Sequence, residues 1–167
     1  MKLTTLAACA AALLFMGTAC AQNKYDVIIG TYTNTGKSEG IYVYSFNEET
    51  GALTYKNKVG NIDNPSYLTV SPDKKYVYAI SESGENSSVS AFNYDVATGK
   101  LTFINKQPSG GRGPCYVEVD QTGKFVFTAN YGSGSLAAVP VLEDGSLGAD
   151  LQQIDHTGAS MVKPSQK

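Results

Sequence analysis

An all-β chain of repeated four-stranded sheets, set side by side like the blades of a β-propeller, is predicted by three observations. They are an internal repeat just under fifty residues long, strands that are apolar nearly throughout, and turn-rich connections with no helical periodicity after residue 21.

The repeat shows in two independent places. Thr50-Gly51-Ala52-Leu53-Thr54 recurs 48 residues later as Thr98-Gly99-Lys100-Leu101-Thr102, and Asp144-Gly145-Ser146-Leu147 follows 46 after that. Each copy comes just after an aromatic or β-branched run: Ile41 to Phe46, Val89 to Tyr94 and Leu136 to Leu142. A longer stretch, Asn64 to Val77, realigns 49 residues on with Gly113 to Val126. One such period has the length of a propeller blade.

Within a period the residues read as four short strands. In the second period these are Ser66 to Val70, Tyr76 to Ser81, Val89 to Asn93 and Leu101 to Asn105. Ser71-Pro72-Asp73-Lys74, Gly84-Glu85-Asn86 and Ala97-Thr98-Gly99 separate them, and Gly, Pro, Asn and Asp there supply the dihedrals that turns require. Tyr76 to Ile80 and its counterpart Phe125 to Ala129 do not alternate with polar residues, so both faces of each are expected to be buried. Stacked blades provide that, whereas an isolated sheet does not. About three periods follow Tyr25, against the roughly four to eight blades with which propellers close. The chain then stops partway through the segment Val162 to Lys167. The expectation is a partial propeller over residues 22–167 that needs further blades, or more copies of itself, to cover its open faces.

The first 21 residues read as a secretory signal peptide, with Lys2, an apolar stretch from Leu6 to Met16, and the small-residue run Gly17 to Ala21. That stretch is shorter than the roughly 20 residues a membrane-spanning helix needs. Ala19-Cys20-Ala21 fits cleavage before Gln22, whereas Cys20 as a lipidated first residue would give a membrane-anchored lipoprotein. Gly17 stands where the lipoprotein signal usually has Leu, which favours ordinary cleavage and an exported, periplasmic product.

Composition narrows the partners. With 42% hydrophobic and 17% charged residues, neither disorder nor a membrane bundle is indicated. Lys2 is the only charged side chain before Gln22, so removing the leader leaves 12 basic against 15 acidic side chains. No Lys/Arg cluster is present to neutralise a run of phosphates, which argues against a nucleic-acid partner. Cys9 and Cys20 belong to the leader region, leaving Cys115 as the only cysteine beyond it and excluding an intrachain disulfide framework.

Four stretches carry a family resemblance: Ile29-Gly30-Thr31-Tyr32-Thr33, Gly40-Ile41-Tyr42-Val43-Tyr44, Asn64-Pro65-Ser66-Tyr67-Leu68 and Ala129-Asn130-Tyr131-Gly132. Together they resemble the seven-bladed lactonase family that includes propeller-type 6-phosphogluconolactonase. The likeness runs from about Val27 to Gly158 and implies hydrolysis of a small, sugar-derived lactone with no cofactor. Seven blades are implied as well, so these residues make up a little under half of a whole protein. Many relatives carry Pro-Cys-His where this chain has Pro114-Cys115-Tyr116. The family's His-x-His stretch and its later Arg and Glu residues would lie beyond Lys167, so no catalytic role transfers from them, and the chain alone is expected to be inactive.

Lactone hydrolysis needs a base to activate water and a donor where negative charge develops on the carbonyl oxygen. Glu82 ends the second strand of one blade, and Asn130 and Tyr131 follow the matching strand of the next, so repeat symmetry puts all three on one rim. A turn-capping carboxylate is the plainer reading of Glu82. His156, the only histidine, is a second candidate base, although a solvated loop side chain is its plainer reading. Arg112, in Gly110-Gly111-Arg112-Gly113, is a candidate anion contact in what otherwise reads as a connection between blades. Cys115 is expected to be a small buried hydrophobe, and the tyrosines to pack between blades. No Cys/His/Asp set has metal-ligand spacing. A non-catalytic exported propeller that binds a protein or glycan is the alternative function, because the fold hosts many.

Overall fold

The computed structural model describes residues 24–158, and the leader expected over residues 1–21, Cys20 included, lies outside them. The chain runs as three antiparallel sheets in sequence order. The first holds β1 (Lys24–Ile29), β2 (Gly40–Asn47) and β3 (Leu53–Gly60). The second holds β4 (Leu68–Val70), β5 (Tyr76–Ser81), β6 (Ser88–Asp95) and β7 (Lys100–Pro108). The third holds β8 (Pro114–Val119), β9 (Phe125–Asn130), β10 (Ser135–Pro140) and β11 (Gln152–Asp155). Each sheet is a meander, as predicted, and the first is one strand short at the β1 edge among the described residues.

Register confirms the period. A bulge between Val43 and Tyr44 in the first sheet recurs between Ala91 and Phe92 in the second, making Tyr44 and Phe92 equivalent. β5 has the predicted bounds, whereas β6 and β7 pair further, from Asp95↔Lys100 to Ser88↔Pro108. β4 starts later than Ser66 because Asn64 adopts φ +43° and the Ser66 amide donates to the Asn64 carbonyl, closing a tight turn first. Gly84–Asn86 forms a single 3-10 turn.

The sheets stack through two apolar layers. Ile41 and Val43 of the first sheet meet Val77, Ala79 and Phe92 of the second, all fully buried. Tyr78, Ile80, Val89 and Ala91 on the other face of the second sheet meet Val117, Val126 and Val139 of the third. β5 is therefore covered on both faces, as its unbroken apolar run predicts. The expectation fails for β9. Val126 and Thr128 are buried, but Phe125 and Phe127 on the opposite face are exposed, since no described sheet lies against them.

Several polar groups between the sheets are paired. Lys56 Nζ contacts both carboxylate oxygens of Asp26, at 2.8 and 2.9 Å, and donates to the Val96 carbonyl at 2.8 Å. Tyr94 Oη also donates to Asp26, joining the first two sheets. Burial, with help from that carboxylate, raises the Tyr94 phenol above its ordinary pKa. Tyr78 Oη reaches across to the Gly145 carbonyl at 3.1 Å.

Candidate functional site

The first strands of the second and third sheets converge, because Tyr67, just before β4, stacks on Tyr116 of β8 with ring centroids 5.2 Å apart. Where these strands begin, β5 and β9 end, so the rim expected from repeat symmetry is present. Matching backbone bonds fix it. The Glu82 amide donates to the Asn64 carbonyl, and the Tyr131 amide to that of Gly113, 49 residues further along each partner. Glu82 and Tyr131 thus hold equivalent places in neighbouring sheets.

Tyr32 holds the corresponding place after β1, as the register of the bulged strands requires. From there its hydroxyl donates to Glu82 Oε1 at 2.8 Å, across the boundary between the first two sheets. Ser66 Oγ donates to the same oxygen. With both donors on Oε1, Oε2 accepts no hydrogen bond among the described residues. The Glu82 bond raises the Tyr32 phenol's pKa, so Tyr32 stays a proton donor at neutral pH. Asn64 braces the arrangement, its Nδ2 donating to the Glu82 carbonyl at 3.0 Å and its Oδ1 accepting from the Thr33 amide at 3.0 Å. Gly30 allows the approach, since a Cβ there would fall inside the Pro65 carbonyl oxygen.

On the same rim Tyr67 is 44% exposed, Tyr116 42% and Tyr131 69%, so Tyr67 and Tyr116 meet across two sheets without being buried between them. Tyr78 and Tyr94 do pack between sheets. Tyr116 Oη donates to Glu118 at 3.0 Å, which raises its pKa. Cys115 also departs from expectation: it is exposed, since the β8–β9 register shifts between Pro114 and Tyr116 and turns its side chain out of the layer.

The other sequence candidates lie further from Glu82 or are already engaged. Asn130 is buried at the end of β9, with Nδ2 donating to the Ser109 carbonyl and to Ser135 Oγ, so it holds the connecting loop, while its buried Oδ1 has no hydrogen-bond partner among the described residues. The Arg112 amide donates to Ser133 Oγ at 3.1 Å, and its exposed guanidinium lies 3.6 Å from Glu85 and 3.4 Å from the Gly132 carbonyl. The Gly110–Gly113 loop therefore acts as a connection between sheets. His156 is exposed after β11, the outermost strand of its sheet, three strand spacings or roughly 15 Å from β8. A cleft of about 520 Å³ opens at the opposite end of the strands, among Asp73, Tyr76, Lys124 and Leu142, and brings together no comparable set of groups.

Stacked four-stranded meanders define part of a β-propeller, and the Glu82 carboxylate, bonded by the exposed Tyr32 where strand ends converge, marks the candidate site on one of its rims. The chain belongs to the seven-bladed β-propeller lactonase family, whose model matches residues 26–167. It is 39% identical to the 6-phosphogluconolactonase of Bacillus subtilis over 135 residues, which is 81% of this chain and 38% of that protein. It is 34% identical to the 6-phosphogluconolactonase of Formosa agariphila over 142 residues, covering 84% of this chain and 40% of the relative. The structure of the periplasmic gluconolactonase of Pseudomonas aeruginosa superposes with a TM-score of 0.78 at 34% identity, covering 86% of this chain and 42% of that one. The chain therefore spans about two fifths of the length of these relatives.

Sequence reasoning missed Tyr32 and Ser66. The available signal was the repeat itself: Tyr32, Glu82 and Tyr131 stand 50 and 49 residues apart, one per period.

Proposed function

We propose that these residues form part of a lactone hydrolase, and that Glu82 is its general base for water attack on a small sugar-derived lactone. The observation that carries this reading is the carboxylate held through one oxygen by Tyr32 and Ser66, while the other oxygen accepts no hydrogen bond among the described residues. A base needs that arrangement: a fixed carboxylate with a lone pair directed at the water. Glu82 would take one proton as the water oxygen bonds to the acyl carbon. Collapse of the tetrahedral adduct breaks the ring C–O bond, and the leaving oxygen takes a proton to give the hydroxy acid. The exposed faces of Tyr67 and Tyr116 suit the C–H face of a sugar ring.

The names of the relatives support the substrate class, and the periplasmic P. aeruginosa protein supports export by the leader over residues 1–21, cleaved before Gln22 or lipidated at Cys20. The exposed tyrosines also favour a second reading, a glycan-binding propeller without turnover.

The test is a chimera in which residues 26–158 replace the matching segment of the B. subtilis relative, assayed with gluconolactone and its 6-phosphate. Hydrolysis above the spontaneous rate is expected from the chimera and not from the 167-residue chain alone. A folded chimera that binds either compound without hydrolysing it would favour the glycan-binding reading.

A further inference from the structure

A cleft of about 390 Å³ opens between the first and second sheets, and both of its walls belong to this chain. The second sheet supplies a floor of serines. Ser81 pairs with Ser88 across β5 and β6, and Ser90 with Lys106 across β6 and β7, so these side chains share the face turned to the first sheet. Ser81, Ser88 and Ser90 are only 5%, 7% and 3% exposed, yet none of their hydroxyls makes a hydrogen bond among the described residues. Asp63, from the connection after β3, and Lys106 stand exposed at the mouth, and neither joins an ion pair among the described residues. The half-exposed ring of Phe103 lines the cleft as well.

The next boundary shows what closes such a space. Between the second and third sheets, Asn130 and Ser135 stand where Ser81 and Ser88 do, and Gly110 stands where Asn61 does, both with positive φ. There Asn130 Nδ2 donates to the Ser109 carbonyl and Ser135 Oγ to the Gly110 carbonyl, which holds the connecting loop against the strands. Gly111 permits that approach, because a Cβ on it would lie 2.2 Å from the hydroxyl oxygens of Ser133 and Ser135. Ile62 takes the Gly111 position at the earlier boundary, and its side chain leaves no room for the same closure.

We propose that this cleft binds a neutral polyhydroxylated small molecule, a monosaccharide or a cyclic polyol. Hydroxyls both donate and accept, so three unpartnered serines match a ligand whose groups do the same. Asp63 and Lys106 are the charged residues of the lining, and together they leave no net charge to select an anion or a cation, while each can bond a ligand hydroxyl. The Phe103 ring suits the C–H face of a sugar. The volume falls within the roughly 300–1,000 Å³ that small-molecule sites occupy. Glu82, Tyr32 and Ser66 do not line the cleft, so binding there does not depend on Glu82 being a base.

Titration of the isotope-labelled chain with glucose and with myo-inositol, followed by backbone amide NMR shifts, tests this. Saturable shifts are expected at residues 60–63 and 88–90 with at least one of the two compounds, in the unaltered chain and in Glu82→Gln alike. Ser88→Ala and Ser90→Ala should each weaken that binding by about three- to tenfold, as the loss of one hydrogen bond predicts, and unchanged far-UV circular dichroism checks that folding persists. Four results would overturn the proposal: no saturable shift with either compound, which leaves the serines to ordered water; shifts confined to Tyr32, Ser66 and Tyr67, which puts binding at Glu82 instead; an equal response to inorganic phosphate or glycine, which means charge is recognised; or alanine variants that bind as tightly as the unaltered chain.

Discussion

Truncating Phe92 tests the stacked-sheet account at the largest fully buried side chain between the first two sheets. The ring is 0% exposed between the first two sheets, whereas its partner Phe103 on the same sheet is 52% exposed. Phe92→Ala removes a fully buried ring and leaves a cavity that rigid sheets close only in part, so the cost is about 3–5 kcal/mol. Phe103→Ala loses about half of its burial plus one aromatic pairing of about 0.5–1.5 kcal/mol, for a total near 2 kcal/mol. Since total stability is typically only about 5–15 kcal/mol, Phe92→Ala sits near the threshold of folding, and Phe92→Leu gives a milder second reading. Urea unfolding followed by tyrosine fluorescence, in a chain with no Trp, measures all three. A Phe92→Ala cost no greater than that of Phe103→Ala would refute the burial of Phe92 between the two sheets.

Acid should weaken the fold through its turns. Asp120 accepts from the amides of Thr122, Lys124 and Phe125 and from the Thr122 hydroxyl, and these bonds, the hydroxyl's foremost, lower its pKa to about 2. A carboxylate with a depressed folded pKa stabilises above its unfolded value near 4, and that stability is lost as pH falls toward about 2. The urea midpoint should drop across that window, less steeply in Asp120→Ala; a midpoint flat from pH 5 to about 2 counts against this. Gly30→Ala should cost about 1–3 kcal/mol, because its Cβ meets the Pro65 backbone and no flexible side chain can yield; an unchanged unfolding midpoint would contradict that close approach. Cys115 should be alkylated by iodoacetamide in the native chain as readily as in urea, mapped by peptide mass spectrometry, and strong native protection would return it to the core.

The architecture was readable because the repeat and the apolar runs report on burial directly. Tyr76–Ser81 carries its two-sided burial in its own residues, and the structure gives it the predicted bounds. The site was readable only in part. That Glu82 and Tyr131 share a rim follows from the period, but the bonds from Tyr32 and Ser66 to one carboxylate oxygen depend on how the first two sheets stack. Residue type misled at Asn130 and Cys115. A rim asparagine turned inward to hold a loop carbonyl, and a small thiol turned outward at a strand irregularity that sequence does not announce.

The functional account turns most directly on Glu82 in the chimera carrying residues 26–158. Steady-state lactone hydrolysis should fall by about 10²–10⁴-fold in kcat for Glu82→Gln, which keeps the hydrogen bonds but not the base, and stay unchanged for Glu85→Gln on the neighbouring turn. Equal rates in the Glu82→Gln and unaltered chimeras would contradict the account.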